Sequence, residues 1–253
     1  MTAPAQAVEA TTAHGATFDF RERLREMFVD SPLPPDDLMF NLGLYVRSSL
    51  LVKFVLLHDL YSRFKCVPGA LLEFGTWWGQ NLVLLENLRA IHEPFNKQRM
   101  IIGFDTFKGY PADGPIAPES TKTHHAYTTT VGYAEYLSEL LAVHEGNNAF
   151  GHIRGNCQIV QGDVEETVPR YFVDNPATLV AFAFFDLGPY EPTIAALRAI
   201  KPHLLPGSII LFDELTWPGA PGEAIAFKEV FSGANYRIEK CQWYPSKAIV
   251  TIQ

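Results

Sequence analysis

With 253 residues, 47% of them hydrophobic and 19% charged, the chain carries enough apolar material for one large domain, and dominant disorder is excluded. Its 20 Lys and Arg stand against 28 Asp and Glu, a formal charge of −8 with no basic stripe, so nucleic acid is not expected as the partner. Cys66, Cys157 and Cys241 form no CxxC pair, which argues against a disulfide framework or a zinc ribbon and for a reducing compartment.

In chain order, residues 1–37 read as an amino-terminal arm and loop. The first twenty residues lack the basic and apolar segments of a secretory signal, and their Ala/Thr-rich character reads as an arm. Pro32, Pro34 and Pro35 mark a loop, and Asp36 and Asp37 suit the helix start that follows. Residues 38–65 read as one or two amphipathic helices, closed by Pro68 and Gly69. The most apolar stretch, Leu42 to Tyr61, is interrupted by Arg47, Lys53, His58 and Asp59, so no membrane association is expected and a cytoplasmic location is.

Short apolar runs then alternate with helical stretches. The runs are Ala70–Phe74, Met100–Asp105, Gln158–Gln161, Leu179–Asp186 and Ser208–Asp213; the helical candidates are Gly79–His92, Tyr133–His144, Val164–Phe172, Glu191–Leu204 and Gly222–Phe231. Apolar runs without polar alternation suit strands covered on both faces, the parallel α/β arrangement. Tyr236–Trp243 and Lys247–Ile252 are separated by three residues, too few for a crossover helix, and predict an antiparallel hairpin closing the sheet. The fold expected is therefore α/β: one doubly wound, mostly parallel sheet over residues 38–253, with a polar insertion near 108–150 suited to a lid.

In such a sheet, ligands bind at the carboxyl ends of the strands. Those ends here carry Glu73, Asp105, Asp163, Asp186 and the pair Asp213 and Glu214. The first strand-to-helix turn reads Glu73-Phe-Gly75-Thr-Trp-Trp-Gly79, a GxxxG spacing that matches neither the GxGxxG of dinucleotide folds nor a phosphate loop. Asp105 can accept both hydroxyl protons of a ribose, and Asp163 can accept from an adenine amine or cap the next helix. A nucleoside without a phosphate cradle fits S-adenosylmethionine (SAM) better than NAD or ATP.

The segments EFGTWWG, Gly103-Phe-Asp-Thr-Phe-Lys-Gly-Tyr-Pro111, GDVEETVP, Asp186-Leu-Gly-Pro-Tyr-Glu-Pro-Thr193 and Gly207-Ser-Ile-Ile-Leu-Phe-Asp-Glu214 resemble the macrocin O-methyltransferase family over roughly residues 40–253. The resemblance implies the class I methyltransferase fold, Rossmann-like, with SAM as cofactor and Mg²⁺ or another divalent cation. It also implies methylation of sugar hydroxyls in antibiotic biosynthesis, on a glycoside or a nucleotide sugar. Cofactor contacts would fall on Glu73, Gly75, Thr76, Trp77, Gly79, Asp105, Thr106, Gly162, Asp163 and Val164, and metal ligation on Asp186, Asp213 and Glu214. The sequence departs from the family twice: Gly188 stands where a second carboxylate is usual, and Glu214 replaces an Asp.

Three carboxylates in one cleft repel, and a divalent cation removes that conflict; all-oxygen ligation suits Mg²⁺. The plainer alternative has Glu214 in solvent and Asp213 capping a turn. Asp186 is the expected general base, taking the proton of the attacking hydroxyl. His124 and His125 offer an alternative base or a merely solvated loop. Trp77, Trp78 and Tyr110 suit stacking on adenine or sugar, or core packing. Arg47 suits the methionine carboxylate or a surface pair. A sugar oxidoreductase would require GxGxxG, which is missing, and its YxxxK pair occurs only as Tyr61 and Lys65, ahead of the glycine turn. A phenol or catechol methyltransferase and a SAM-binding scaffold without activity stay open, as does self-association through the amino-terminal helices.

Overall fold

The computed structural model describes residues 16–96, 98–110, 127–148 and 155–253. Two compact units divide the chain, Gln6–Leu56 and a unit containing Leu57–Gln253.

In the first unit the chain is helical where an arm was expected. Helix α1 (Ala16–Val29) is followed by α2 (Pro35–Phe40), a 3₁₀ turn (Leu42–Tyr45) and the start of α3 (Ser48–Phe64). Ion pairs one turn apart, Arg23 with Glu26 at 3.0 Å and Arg25 with Glu22, support α1 and were hidden behind its Ala/Thr-rich lead. Pro35 opens α2 where no N–H partner is needed, and Asp36 and Asp37 face the positive end of its dipole. Phe28 meets Tyr45 edge to face, and the Tyr45 hydroxyl donates to Ser31 Oγ at 3.0 Å.

The second unit is a seven-stranded sheet. Its strands are β1 (Ala70–Phe74), β2 (Ile101–Asp105), β3 (Cys157–Gln161), β4 (Val180–Phe185), β5 (Leu204–Phe212), β6 (Tyr236–Lys240) and β7 (Ala248–Ile252). They lie in the order β3-β2-β1-β4-β5-β7-β6. The first five run parallel, and β7 enters antiparallel between β5 and β6. Helices α4 (Gln80–His92), α5 (Tyr133–Asn148), α6 (Val164–Asp174), α7 (Tyr190–Ile200) and α8 (Gly222–Val230) connect them. The expected fold is the observed one. Several element boundaries differ from those expected, the junction of α7 and β5 among them. A 3₁₀ turn over Lys201–His203, containing Pro202, stops α7 at Ile200, and Leu204 already belongs to β5. Charged β6, with Arg237, Glu239 and Lys240, ends the sheet as a guarded edge.

Every residue of β1 and β4 is buried, because both are central and covered on both faces. Register aligns Phe104, Phe74, Phe185 and Phe212 across β2, β1, β4 and β5. Their rings meet in sequence, with centroids 5.3, 4.6 and 5.2 Å apart. The residue after each phenylalanine is therefore also aligned, giving a row Asp105, Gly75, Asp186, Asp213 along the carboxyl edge. Backbone bonds extend the ladder into that row: Gly75 N–H to Phe104 O (3.0 Å), Asp186 N–H to Phe74 O (2.9 Å) and Asp213 N–H to Phe185 O (2.9 Å).

At the opposite end, Glu93 binds Arg99 at 2.6 Å and accepts the Tyr61 hydroxyl at 2.6 Å. Arg99 also donates to the carbonyls of Gly69 (2.7 Å) and Lys65 (2.9 Å), fixing the entry to β1. Among the described residues no helix is long and apolar enough to cross a membrane.

Candidate active site

The glycine turn after β1 is shaped by close approach. Gly75 has φ +86°, and a Cβ there would lie 2.1 Å from the Asp186 carbonyl oxygen. Only glycine lets β1 and β4 come together at this point. Gly79, also left-handed at φ +72°, starts α4. Glu73 is 1% exposed and accepts the Asn81 amide at 2.6 Å, so its carboxylate braces the first turn of α4 from inside. Thr76 is buried beside it.

Asp105 organises two loops at once. Its Oδ2 accepts the backbone N–H of Trp77 at 2.7 Å, and its Oδ1 accepts that of Phe107 at 2.6 Å. Trp77 (φ 49°) and Phe107 (φ 59°) are both left-handed. Burial raises the Asp105 pKa, the backbone donors oppose the shift, and the charge of Asp186 adds to it. Thr106 is engaged inside its own loop, its hydroxyl donating to Gly109 O at 3.0 Å and accepting the Lys108 N–H at 3.1 Å.

After β3, the Gly162 N–H bonds the Asp105 carbonyl at 2.9 Å, Val164 enters the core, and exposed Asp163 caps α6 by accepting the Glu165 N–H at 2.9 Å. The cap is one of the two roles expected of Asp163.

The acidic ends of β4 and β5 diverge. Asp186 stands exposed at the tip of β4. Asp213 pairs with the Lys247 ammonium, which also lies 5.3 Å from the Phe184 ring centroid and 5.0 Å from that of Tyr244. Glu214 is buried, and its N–H donates to Glu223 Oε2 at 2.9 Å. Among the described residues no three His, Cys, Asp or Glu side chains gather to hold a metal ion. The trio Asp186, Asp213 and Glu214 therefore does not fit the expected Mg²⁺: one carboxylate is in solvent, one faces an ammonium, and one is drawn inside.

Lys247 and Glu223 belong to this cluster and were not singled out from the sequence. Glu223 is 0% exposed in the first turn of α8. Burial, with repulsion from Asp186 and Glu214, pushes its pKa up to about 8 against the pull of the Glu214 and Gly188 N–H groups. An acidic residue in a helix's first turn carries one legible signal, its match to the dipole, and that signal says nothing of burial.

Aromatic rings link the loops. Trp77 meets Tyr127 edge-on (5.4 Å), Tyr127 meets Tyr110 (5.9 Å), and the Tyr110 hydroxyl donates to Leu187 O at 3.2 Å, next to Asp186. Trp78 instead packs on Tyr133 at 4.7 Å, and the Tyr133 hydroxyl donates to the Trp78 carbonyl. His124 and His125 lie outside the described residues, as does much of the expected lid, while Arg47 belongs to the amino-terminal unit.

The sequence profile of the family described as Macrocin-O-methyltransferase (TylF) matches residues 60–234. Over 148 residues the chain is 24% identical to the 8-demethyl-8-(2,3-dimethoxy-alpha-L-rhamnosyl)-tetracenomycin-C 4'-O-methyltransferase of Streptomyces olivaceus, covering 58% of this chain and 53% of that protein. The chain thus spans about half the length of that relative. The crystal structure of CalS11, calicheamicin methyltransferase, superposes with a TM-score of 0.87 at 37% identity, covering 99% of this chain and 98% of that one. Its apo form, described as a TDP-rhamnose 3'-O-methyltransferase in calicheamicin biosynthesis, gives a TM-score of 0.81 at 37% identity over 97% of this chain and 99% of that one. The O-methyltransferase NovP shares the fold, with a TM-score of 0.59 at 16% identity over 78% of this chain and 79% of its own.

Proposed function

This chain belongs to the macrocin O-methyltransferase family, and on that premise we propose that it is a SAM-dependent O-methyltransferase acting on a hydroxyl of a deoxysugar carried by a nucleotide. The observation that carries this reading is the end-to-end likeness, at 37% identity, to a TDP-rhamnose 3'-O-methyltransferase. The row Asp105, Gly75, Asp186, Asp213 supports it by placing acidic groups at the carboxyl edge of the sheet.

SAM, when bound, supplies a methyl group activated by its sulfonium. The loops beginning at Gly75, Asp105 and Gly162 are the residues that would hold it: two of them lack a Cβ, and none offers the glycine-rich phosphate cradle of a nucleotide fold. With SAM so held, the acceptor hydroxyl oxygen would take the methyl group and Asp186 its proton, while the electron pair of the carbon–sulfur bond would stay on sulfur, giving a sugar methyl ether and S-adenosylhomocysteine. Holding both reactants against a rigid sheet edge supplies much of the rate, and the proton acceptor adds about 10²–10⁴-fold. In the proposed reaction Asp213 faces the Lys247 ammonium rather than Mg²⁺.

The test is transfer of a labelled methyl group from SAM to TDP-rhamnose, followed by NMR of the sugar. A labelled methyl ether with equimolar S-adenosylhomocysteine is expected. Tight SAM binding without transfer to any nucleotide sugar would instead favour a scaffold, a second reading that the absence of a carboxylate at Gly188 keeps in view. Transfer to a catechol in preference to the sugar would overturn the acceptor class.

A further inference from the structure

We propose that Glu223 is a positioning residue that clamps the loops after β4 and β5 and so holds Asp186 at the acceptor. The proposal rests on the reading of Asp186 as proton acceptor and goes beyond it by naming what fixes that group in place.

Asp186 is exposed, and its side chain sits on a loop whose next residues include Gly188, which has no side chain to anchor it. The anchoring comes from α8. A Cβ at Gly222 would lie 2.4 Å from Gly188 O and 2.6 Å from Tyr190 N, so the start of α8 rests directly on the backbone of residues 188–190. The adjacent Glu223 is fully buried there. Its Oε2 accepts the Glu214 N–H at 2.9 Å, and the Gly188 N–H faces the same carboxyl group. The first turn of α8, with Gly222 against residues 188–190 and Glu223 on the Glu214 N–H, thus joins the loop carrying Asp186 to the loop carrying Asp213 and Glu214. A buried acceptor bonded to one loop, on a helix turn packed against the other, fixes their spacing more tightly than exposed loops fix themselves.

Glu223→Gln keeps an acceptor oxygen of the same reach, whereas Glu223→Met fills the same space without one. We expect Glu223→Gln to retain kcat within about 3-fold and Glu223→Met to lose at least about 30-fold, with KM for the sugar rising and SAM affinity within about 3-fold of the parent, the scale of a misplaced catalytic group. Hydrogen exchange should accelerate in Glu223→Met at residues 186–190 and 213–216 and stay unchanged in β1 and β2. Glu223→Met with parental kcat would overturn the proposal, as would Glu223→Gln as impaired as Glu223→Met, or exchange rising throughout the sheet. A parent protein that methylates no nucleotide sugar would sink the proposed function alone, since the exchange pattern reads the clamp without turnover.

Discussion

Asp105 accepts the backbone N–H of Trp77 at 2.7 Å, and in doing so fixes a tryptophan in the left-handed region. Its second oxygen does the same for Phe107. Each left-handed residue costs about 1–2 kcal/mol, and each bond to a buried carboxylate returns about 1.5–3 kcal/mol. The loops above β1 and β2 are therefore shaped before any cofactor arrives.

Asp105→Asn presents an NH₂ group to one of these two backbone donors. We expect SAM affinity to fall at least about 10-fold and stability to drop by about 1–2 kcal/mol. Calorimetry with S-adenosylhomocysteine and thermal denaturation measure both. Parental affinity would show that the loops hold their shape without the carboxylate.

Asp186→Asn removes the proton acceptor from an exposed position while leaving the ladder bond from its N–H to Phe74 O intact. Turnover should fall about 10²–10⁴-fold with SAM affinity within about 3-fold. A variant with most of its kcat would assign the proton to another group.

Lys247→Met leaves Asp213 without its ammonium. The pair is largely sheltered, with side chains 11% and 21% exposed, and its loss should cost about 1–3 kcal/mol. Denaturant titration checks this. Lys247→Arg should recover part of the loss, and equal damage from both would mean that shape rather than charge matters at 247.

Glu93 predicts the acid limb of stability. Although burial opposes it, bonds from Arg99, Tyr61 and Asn96 hold its pKa below the ordinary 4.5. A lowered pKa means that the unfolded chain binds the proton more readily. The contribution is therefore present above about pH 4.5 and lost as pH falls through the folded value. Glu93→Gln should destabilise by about 2 kcal/mol at pH 7, and the gap should close towards pH 3. A gap independent of pH would remove the charge from the account.

The sheet was legible because its signals are local. β1 is an apolar run interrupted only by Glu73 and ended by glycine, and the three residues Tyr244 to Ser246 admit only a hairpin. The site was legible only as a set of strand ends. The pairing of Lys247 with Asp213 follows from the register Phe212 with Ala248, which exists only because β7 inserts beside β5. No pattern within 20 residues of either partner encodes that insertion. Glu223 escaped for a similar reason, since its burial depends on Gly222 resting against a loop more than 30 residues earlier. Asp105 was found, but its first task, holding Trp77 and Phe107, depends on backbone angles that composition does not reveal. The helix α1 was missed because its support comes from spaced charges rather than an apolar stripe.

The placement of β7 between β5 and β6 has a consequence for biosynthesis. During translation the five parallel strands leave the ribosome with the flank of β5 uncovered, and β6 cannot dock before residues 248–252 appear. Until then a sticky margin is open to neighbouring nascent chains. Chaperone bound to pulse-labelled chains would be expected to leave once β7 has docked beside β5.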